Sequence, residues 1–211
     1  MATAALLTAA LSMLARASAC PGPTHATFDV VTLHSPVDIS ENFTLAQLAE
    51  LASHTGRMGR HPPLGFYIAG FGYRVVTDVS VPRGAECSER VRVTVTLRLV
   101  DRHIEIGKEV RANPCLFSLV RDHYRRHAAS DEAALAEFAR ALEAALQGIS
   151  LPPLEHDPAL AEEDRRRVEA AVASAIDRRL GALAAARASA RDQVDTDEEV
   201  ERLKGAQCRR V

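Results

Sequence analysis

The 211-residue chain has no tryptophan, and aromatic residues together make up only 4% of it. Any core must therefore be built from aliphatic side chains and alanine, which fits an apolar content of 47%. Charge of one sign is also missing: 26 Lys and Arg face 28 Asp and Glu, a formal charge of −2. That balance excludes a whole-chain electrostatic footprint for nucleic acid or an anionic membrane. The Arg165 to Arg167 run is flanked by Glu162, Glu163, Asp164 and Glu169 and reads as a solvated helix face. No phosphate-binding glycine loop, dinucleotide fingerprint or G-x-S-x-G nucleophile elbow occurs. There is no C-x-x-C spacing to suggest a cysteine zinc site. The one long apolar run, MATAALLTAALSMLA, is too short to be a permanent transmembrane helix.

That run is followed by Ala17-Ser18-Ala19, which satisfies the small-x-small rule for signal cleavage, although the first basic residue, Arg16, lies behind the apolar stretch instead of ahead of it. Residues 1–19 are thus expected to be a signal peptide and the mature protein to be periplasmic or secreted, with no spanning segment. Cleavage there leaves Cys20 first, the position at which a bacterial lipoprotein is lipidated. An alanine-rich N-terminal helix of a cytosolic protein is the competing reading.

Four cysteines, Cys20, Cys87, Cys115 and Cys208, allow three full pairings, and sequence alone does not choose among them. Cys20 and Cys208 fall where the chain is expected to fray. Cys87 opens an expected strand and Cys115 an expected helix, so a Cys87–Cys115 bridge would join two ordered elements and contribute about 3–4 kcal/mol. Two buried free thiols are the alternative.

Periodicity organises the rest. Phe28 to Leu33 reads as a strand, and Thr44 to Ser53 as a helix with Leu45, Leu48 and Leu51 on one face and Thr44 or Asn42 as its cap. The segment LGFYIAGFGYRVVTDVSV has strand composition, with glycines that predict a bend or bulge. Val91 to Leu99 alternates strictly, and a turn at Asp101-Arg102 is expected to return the chain as a hairpin through Ile104 and Ile106. A long helix follows from about Cys115 to Gln147. Beyond Asp157-Pro158 a second helical region carries a narrow stripe, Val168, Val172, Ile176, Leu180 and Leu183, suited to packing on the first helix, projecting from the domain or pairing with another chain. The expectation is an α+β protein: a small antiparallel sheet packed on a long helix over residues 20–150, with a C-terminal helical extension and charged tail over 151–211.

His123, His127 and Asp131 fall amid the apolar positions of the long helix, inside an arc of roughly 160°. Their four-residue spacing sets neighbouring Cβ atoms about 5–6 Å apart on the buried face. Two imidazoles and a carboxylate buried there are costly unless satisfied. A zinc ion could satisfy them, since a helical His-x-x-x-His pair presents two nitrogens to one metal. A metal-free polar cluster, with partners from His103, Glu105 and Glu109, would also satisfy them.

The stretch from Leu64 through Ala141, with LGFYIAGF, Cys87, VRVTVTLRLVDRHIEIGKEV and NPCLFSLVRDHYRRH, resembles a family of uncharacterised secreted proteobacterial proteins. In that family a similar succession of strands and cysteines leads into a helix bearing His-Glu-x-x-His. The resemblance implies a zincin-like helix-on-sheet core, export, a Cys87–Cys115 disulfide and kinship with zinc peptidases. This chain departs at Tyr124, which stands where the family has its glutamate. In such a peptidase that carboxylate takes the proton of the zinc-bound water, whereas a phenol of pKa about 10 is no base at neutral pH. Asp122 lies about 100° off around the helix, and Glu132 is off the stripe. Three functions follow as expectations. One is an exported binding or structural module that has lost peptidase chemistry, holds zinc through His123, His127 and Asp131, and recognises a protein or peptide partner. The others are an active zinc hydrolase whose base comes from Glu105 or Glu109, and an envelope protein that forms homo-oligomers through its C-terminal helix.

Overall fold

The computed structural model describes residues 25–54, 63–80, 90–152, 154, 161–203 and 208. The expected signal segment, Cys20, Cys87 and residues 56–62 of the expected loop lie outside them. The chain is α+β: strands β1 (His25–His34), β2 (Asp38–Ser40), β3 (Gly65–Ser80) and β4 (Arg90–Ile106), with helices α1 (Leu45–His54), α2 (Pro114–Leu146), α3 (Ala161–Asp177), α4 (Leu180–Val194) and α5 (Asp197–Leu203).

β4 occupies the middle of the sheet because it alone pairs along both edges. β3 runs antiparallel to it from Gly65 opposite Ile106 to Ser80 opposite Arg90. Along the other edge β1 and then β2 run parallel to it, His25 opposite Arg90 and Ser40 opposite Glu105. The sheet is therefore mixed, not antiparallel as expected. The chain climbs through β1 and β2, reverses at α1, descends through β3 and then inserts β4 between β3 and β1, and such insertion leaves no local trace in sequence.

The hairpin expected at Asp101-Arg102 does not form, because β4 continues through it. Instead, the β3 register slips between Ile68 and Gly70, so that Asp101 and Arg102 together oppose the single residue Ala69. This is a β-bulge, and Asp101 adopts φ 50° to make it. The extra residue flips the side-chain parity of β4: Val91, Val93, Val95, Leu97 and Leu99 are buried before it, and Arg102, Ile104 and Ile106 after it. The same break in alternation is what a turn would leave in the sequence. Arg102 is thereby aimed inward, where its guanidinium donates to the Tyr67 hydroxyl at 3.2 Å and the Ser35 carbonyl at 2.9 Å and pairs with Glu132 of α2.

α2 starts where expected, with Pro114 in its first turn and the Asn113 side chain accepting from the Leu116 amide at 3.1 Å. α1 is opened by the reciprocal Thr44 and Gln47 bonds of a capping box. It buries Leu48 and Ala52, while Leu51 is exposed. The second helical region is two helices broken at Arg178-Arg179. Its stripe does not project: Val168, Val172, Ile176 and Leu183 join the inward face of β4 and Leu135, Phe138 and Leu142 of α2 in one apolar core. α3 packs on β3 and α4 packs along α2. The surface expected to mediate oligomers is thus consumed within the chain. Among the described residues no helix is long and apolar enough to cross a membrane.

A β-branched residue is disfavoured at a positive φ by about 1–2 kcal/mol. Asp101→Val should therefore lower unfolding stability by about that much, and Asp101→Gly should not, as measured by urea denaturation midpoints.

Candidate metal centre

α2 presents four side chains in succession toward the chain's last helices: His123, Tyr124, His127 and Asp131. His123, His127 and Asp131 are buried, as the helical stripe requires. They do not, however, converge on one point. Asp131 sits one turn beyond the imidazoles and is engaged by Arg187 of α4, whose Nε and Nη2 donate to its two oxygens at 2.8 and 2.6 Å. The guanidinium also donates to the Ala69 carbonyl at the β3 bulge. Asp131 is thus a structural anion that ties α2, α4 and β3 together, and not the third ligand expected.

The third carboxylate comes from Asp195, directly after α4. Its Oδ1 lies 2.9 Å from His127 Nε2 and 3.3 Å from His123 Nε2, and the two Nε2 atoms are 3.1 Å apart. The rings meet edge-on, with centroids 4.7 Å apart and planes at 86°. Three acceptor atoms this close repel one another unless positive charge sits among them, either a proton on one imidazole or a metal ion. Donors bound to one zinc ion at about 2.0–2.1 Å stand about 3.3 Å apart at the tetrahedral angle, close to the spacing found. His123, His127 and Asp195 could therefore hold a metal ion. Burial opposes ionisation of Asp195, but hydrogen bonds and charge attraction from His123 and His127 outweigh it and hold its carboxyl well below the usual range.

A second acid, Glu199 of α5, approaches the opposite side of the first imidazole: its Oε1 is 3.0 Å from His123 Nδ1. Arg202 grips both Glu199 oxygens at 2.8 and 2.6 Å, and Arg126 of α2 pairs with Oε1. The Arg202 bonds lead in drawing the Glu199 carboxyl down to about 2, against the cost of burial. The segment carrying both acids is also covalently fastened, since Cys208 is bonded to Cys115 in the first turn of α2, across 93 residues of chain. The Cys87–Cys115 bridge is therefore not formed. Expected fraying of the C-terminus hid Cys208 as a partner, and the same expectation hid Asp195 and Glu199. Their only sequence trace is a tail rich in acids that carries a cysteine.

Tyr124, at the position where the resemblance leads one to expect a glutamate base, is buried, and its hydroxyl donates to the Gly65 carbonyl at 2.5 Å. Burial first, and then the Asp195 charge, push the phenol's pKa up, so it cannot serve as a base at neutral pH. Gly65 has no room for a side chain: a Cβ there would stand 2.4 Å from the Glu105 carbonyl oxygen and 2.7 Å from the Tyr124 ring. Neither hairpin candidate for a substitute base reaches the imidazoles. Glu105 accepts from the Asn42 and Phe43 amides, Ser40 and His103, and Glu109 accepts from the Leu45 amide at 2.9 Å. Asp122 is half-exposed beside Arg121, and Glu132 pairs with Arg102. Ser40, His103 and Glu105 form a serine-histidine-acid set, but Ser40 and Glu105 both contact the same histidine nitrogen, Nε2, so Glu105 cannot orient the imidazole as a triad acid does.

Models of known protein families, curated proteins and solved structures give no match to this chain.

The two aspartates should separate by substitution. Asp131→Asn should cost about 1–3 kcal/mol of stability by stranding Arg187, and leave metal affinity within a few-fold of the parent, whereas Asp195→Asn should lower metal affinity far more than that. Thermal unfolding and metal titration of both variants check this. Burial opposes the Glu105 charge, but its Ser40, His103 and backbone bonds prevail and lower its pKa. Its contribution to stability is therefore full above the ordinary glutamate value of about 4.3 and is lost as pH falls through the lower folded value. Acid titration of stability should be shallower in Glu105→Gln than in the parent.

Proposed function

We propose that this protein is an exported, metal-binding module that lacks peptidase chemistry, with zinc held by His123, His127 and Asp195. The observation that carries the reading is the mutual approach of those three donors within 3.3 Å. Two imidazoles and one carboxylate form a donor set of the open, three-ligand zinc type, which leaves a position on the ion for water or for a group from a partner. Bound zinc would supply Lewis acidity there. Among the described residues, the chain's own side chains supply ligand geometry and charge balance, and the nearby acids and phenol are already engaged: Tyr124 is held on Gly65, Glu105 and Glu109 are committed to backbone amides around the start of α1, and Glu199 is taken by His123, Arg126 and Arg202. This disfavours the active hydrolase, and the likeness to secreted zincin-like proteins then reflects an inherited scaffold used for binding a protein or peptide. Export to the periplasm or beyond is supported by the Cys115–Cys208 disulfide, a bond that persists in oxidising compartments, and by the cleavable-looking segment 1–19.

The test is zinc content and affinity of the mature chain. One zinc per chain is expected in the parent, and His123→Ala with His127→Ala should lose it entirely. Equal zinc in both proteins overturns the metal reading, and chelator-sensitive cleavage of casein by the parent overturns the non-catalytic one.

A further inference from the structure

We infer that Glu199 is a positioning residue of the metal centre: by accepting the proton of His123 Nδ1, it turns the lone pair of His123 Nε2 toward Asp195 and His127. This inference rests on the metal reading above and names a residue that acts through a ligand.

The argument starts from the donor inventory. An ionised carboxylate can only accept, so the nitrogen it faces must carry hydrogen. Glu199 Oε1 lies 3.0 Å from His123 Nδ1, and Arg202, which bonds both Glu199 oxygens, keeps the carboxylate charged and fixed, with Arg126 as an outer ion pair to Oε1. A neutral imidazole protonated at Nδ1 has its lone pair at Nε2, and Nε2 is the atom 3.1 Å from His127 and 3.3 Å from Asp195. A carboxylate behind a ligating histidine fixes its tautomer and ring orientation and raises its basicity, and its loss ordinarily costs about 10–100-fold in metal affinity. Without Glu199 nothing in α2 selects this tautomer. The proton would be free to move to Nε2, where it must be expelled before an ion can bind.

The position of Glu199 is itself built by tertiary contacts. Thr196 caps α5 by accepting from the Glu199 amide at 3.2 Å, and the tail that follows α5 is tethered to α2 through Cys208. Third ligand and positioning acid thus arrive on one docked segment, four residues apart.

The test uses the full mature chain and zinc ion alone as the probe, with affinity read by competition against a chromophoric chelator. Glu199→Ala should weaken zinc binding 10–100-fold. Glu199→Gln, whose amide oxygen still accepts from Nδ1–H, should recover much of the loss. Arg126→Gln removes the neighbouring ion pair between α2 and α5 but leaves the Glu199 contact with His123, and should weaken zinc binding no more than threefold. Equal losses in Glu199→Ala and Arg126→Gln would mean that Glu199 only docks the tail, and would overturn the inference. The second measurement needs no metal: nitrogen-15 correlation spectra of the imidazoles should show a hydrogen on His123 Nδ1 in the parent and a smaller Nδ1–H population, shifted toward the Nε2–H tautomer, in Glu199→Ala. An unchanged tautomer overturns the inference even where zinc binds. Absence of zinc binding in the parent overturns the metal reading instead and leaves the tautomer result to stand or fall alone.

Discussion

Two imidazoles one helical turn apart on the buried face of α2 are the constraint around which the C-terminal half is arranged. His123 and His127 are nearly inaccessible to solvent, with 4% and 7% of their surface exposed. A buried imidazole has two nitrogens to satisfy, and among the described residues the partners recorded for these two rings are each other and the tail acids. The chain meets the demand with its tail. α4 lies along α2, Asp195 ends it against both Nε2 atoms, and α5 brings Glu199 to His123 Nδ1. The disulfide between Cys115 and Cys208 closes this arrangement around the first turns of α2.

The remaining buried charges are sorted by the same economy of pairing. Arg102, driven inward by the β4 bulge, is met by Glu132, and Asp131 is met by Arg187, so the two acids that follow His127 on α2 each hold a cation from another element. These pairs link α2 to the sheet and to α4, while His123, His127 and Arg126 meet the tail acids Asp195 and Glu199. Breaking either pair by removing one partner would leave the other charge unpaired inside the protein. At this site, the pairing decides which carboxylate reaches the imidazoles.

Tyr124 is a packing residue at the position where the sequence resemblance leads one to expect a glutamate. A glutamate in its place would be a buried acid against the Gly65 backbone and the Asp195 charge. The tyrosine instead stacks its ring on His127 and bonds the Gly65 carbonyl. It fills the space at a position where Gly65 admits no side chain of its own, and so this contact packs α2 on the start of β3.

Local sequence was sufficient for the longer helices and most of the strand segments, and for the two imidazoles of the site. The bounds of α2 were legible because Asn113-Pro114 start a helix for reasons confined to a few residues, and the burial of His123 and His127 followed from a period of 3.6 residues. The stripe from Val168 to Leu183 was likewise visible as apolar, though not what it would cover. Sheet order was decided by tertiary structure: β4 inserted between β3 and β1, and a parity break at Asp101 produced a bulge where a turn would have left the same pattern. So was the identity of the third carboxylate. Asp131 had the right spacing, but spacing along one helix cannot report that Arg187 claims it from α4. Asp195 and Glu199 lie outside any periodic pattern, and only the docking of the tail beside α2 brings their charges to the imidazoles.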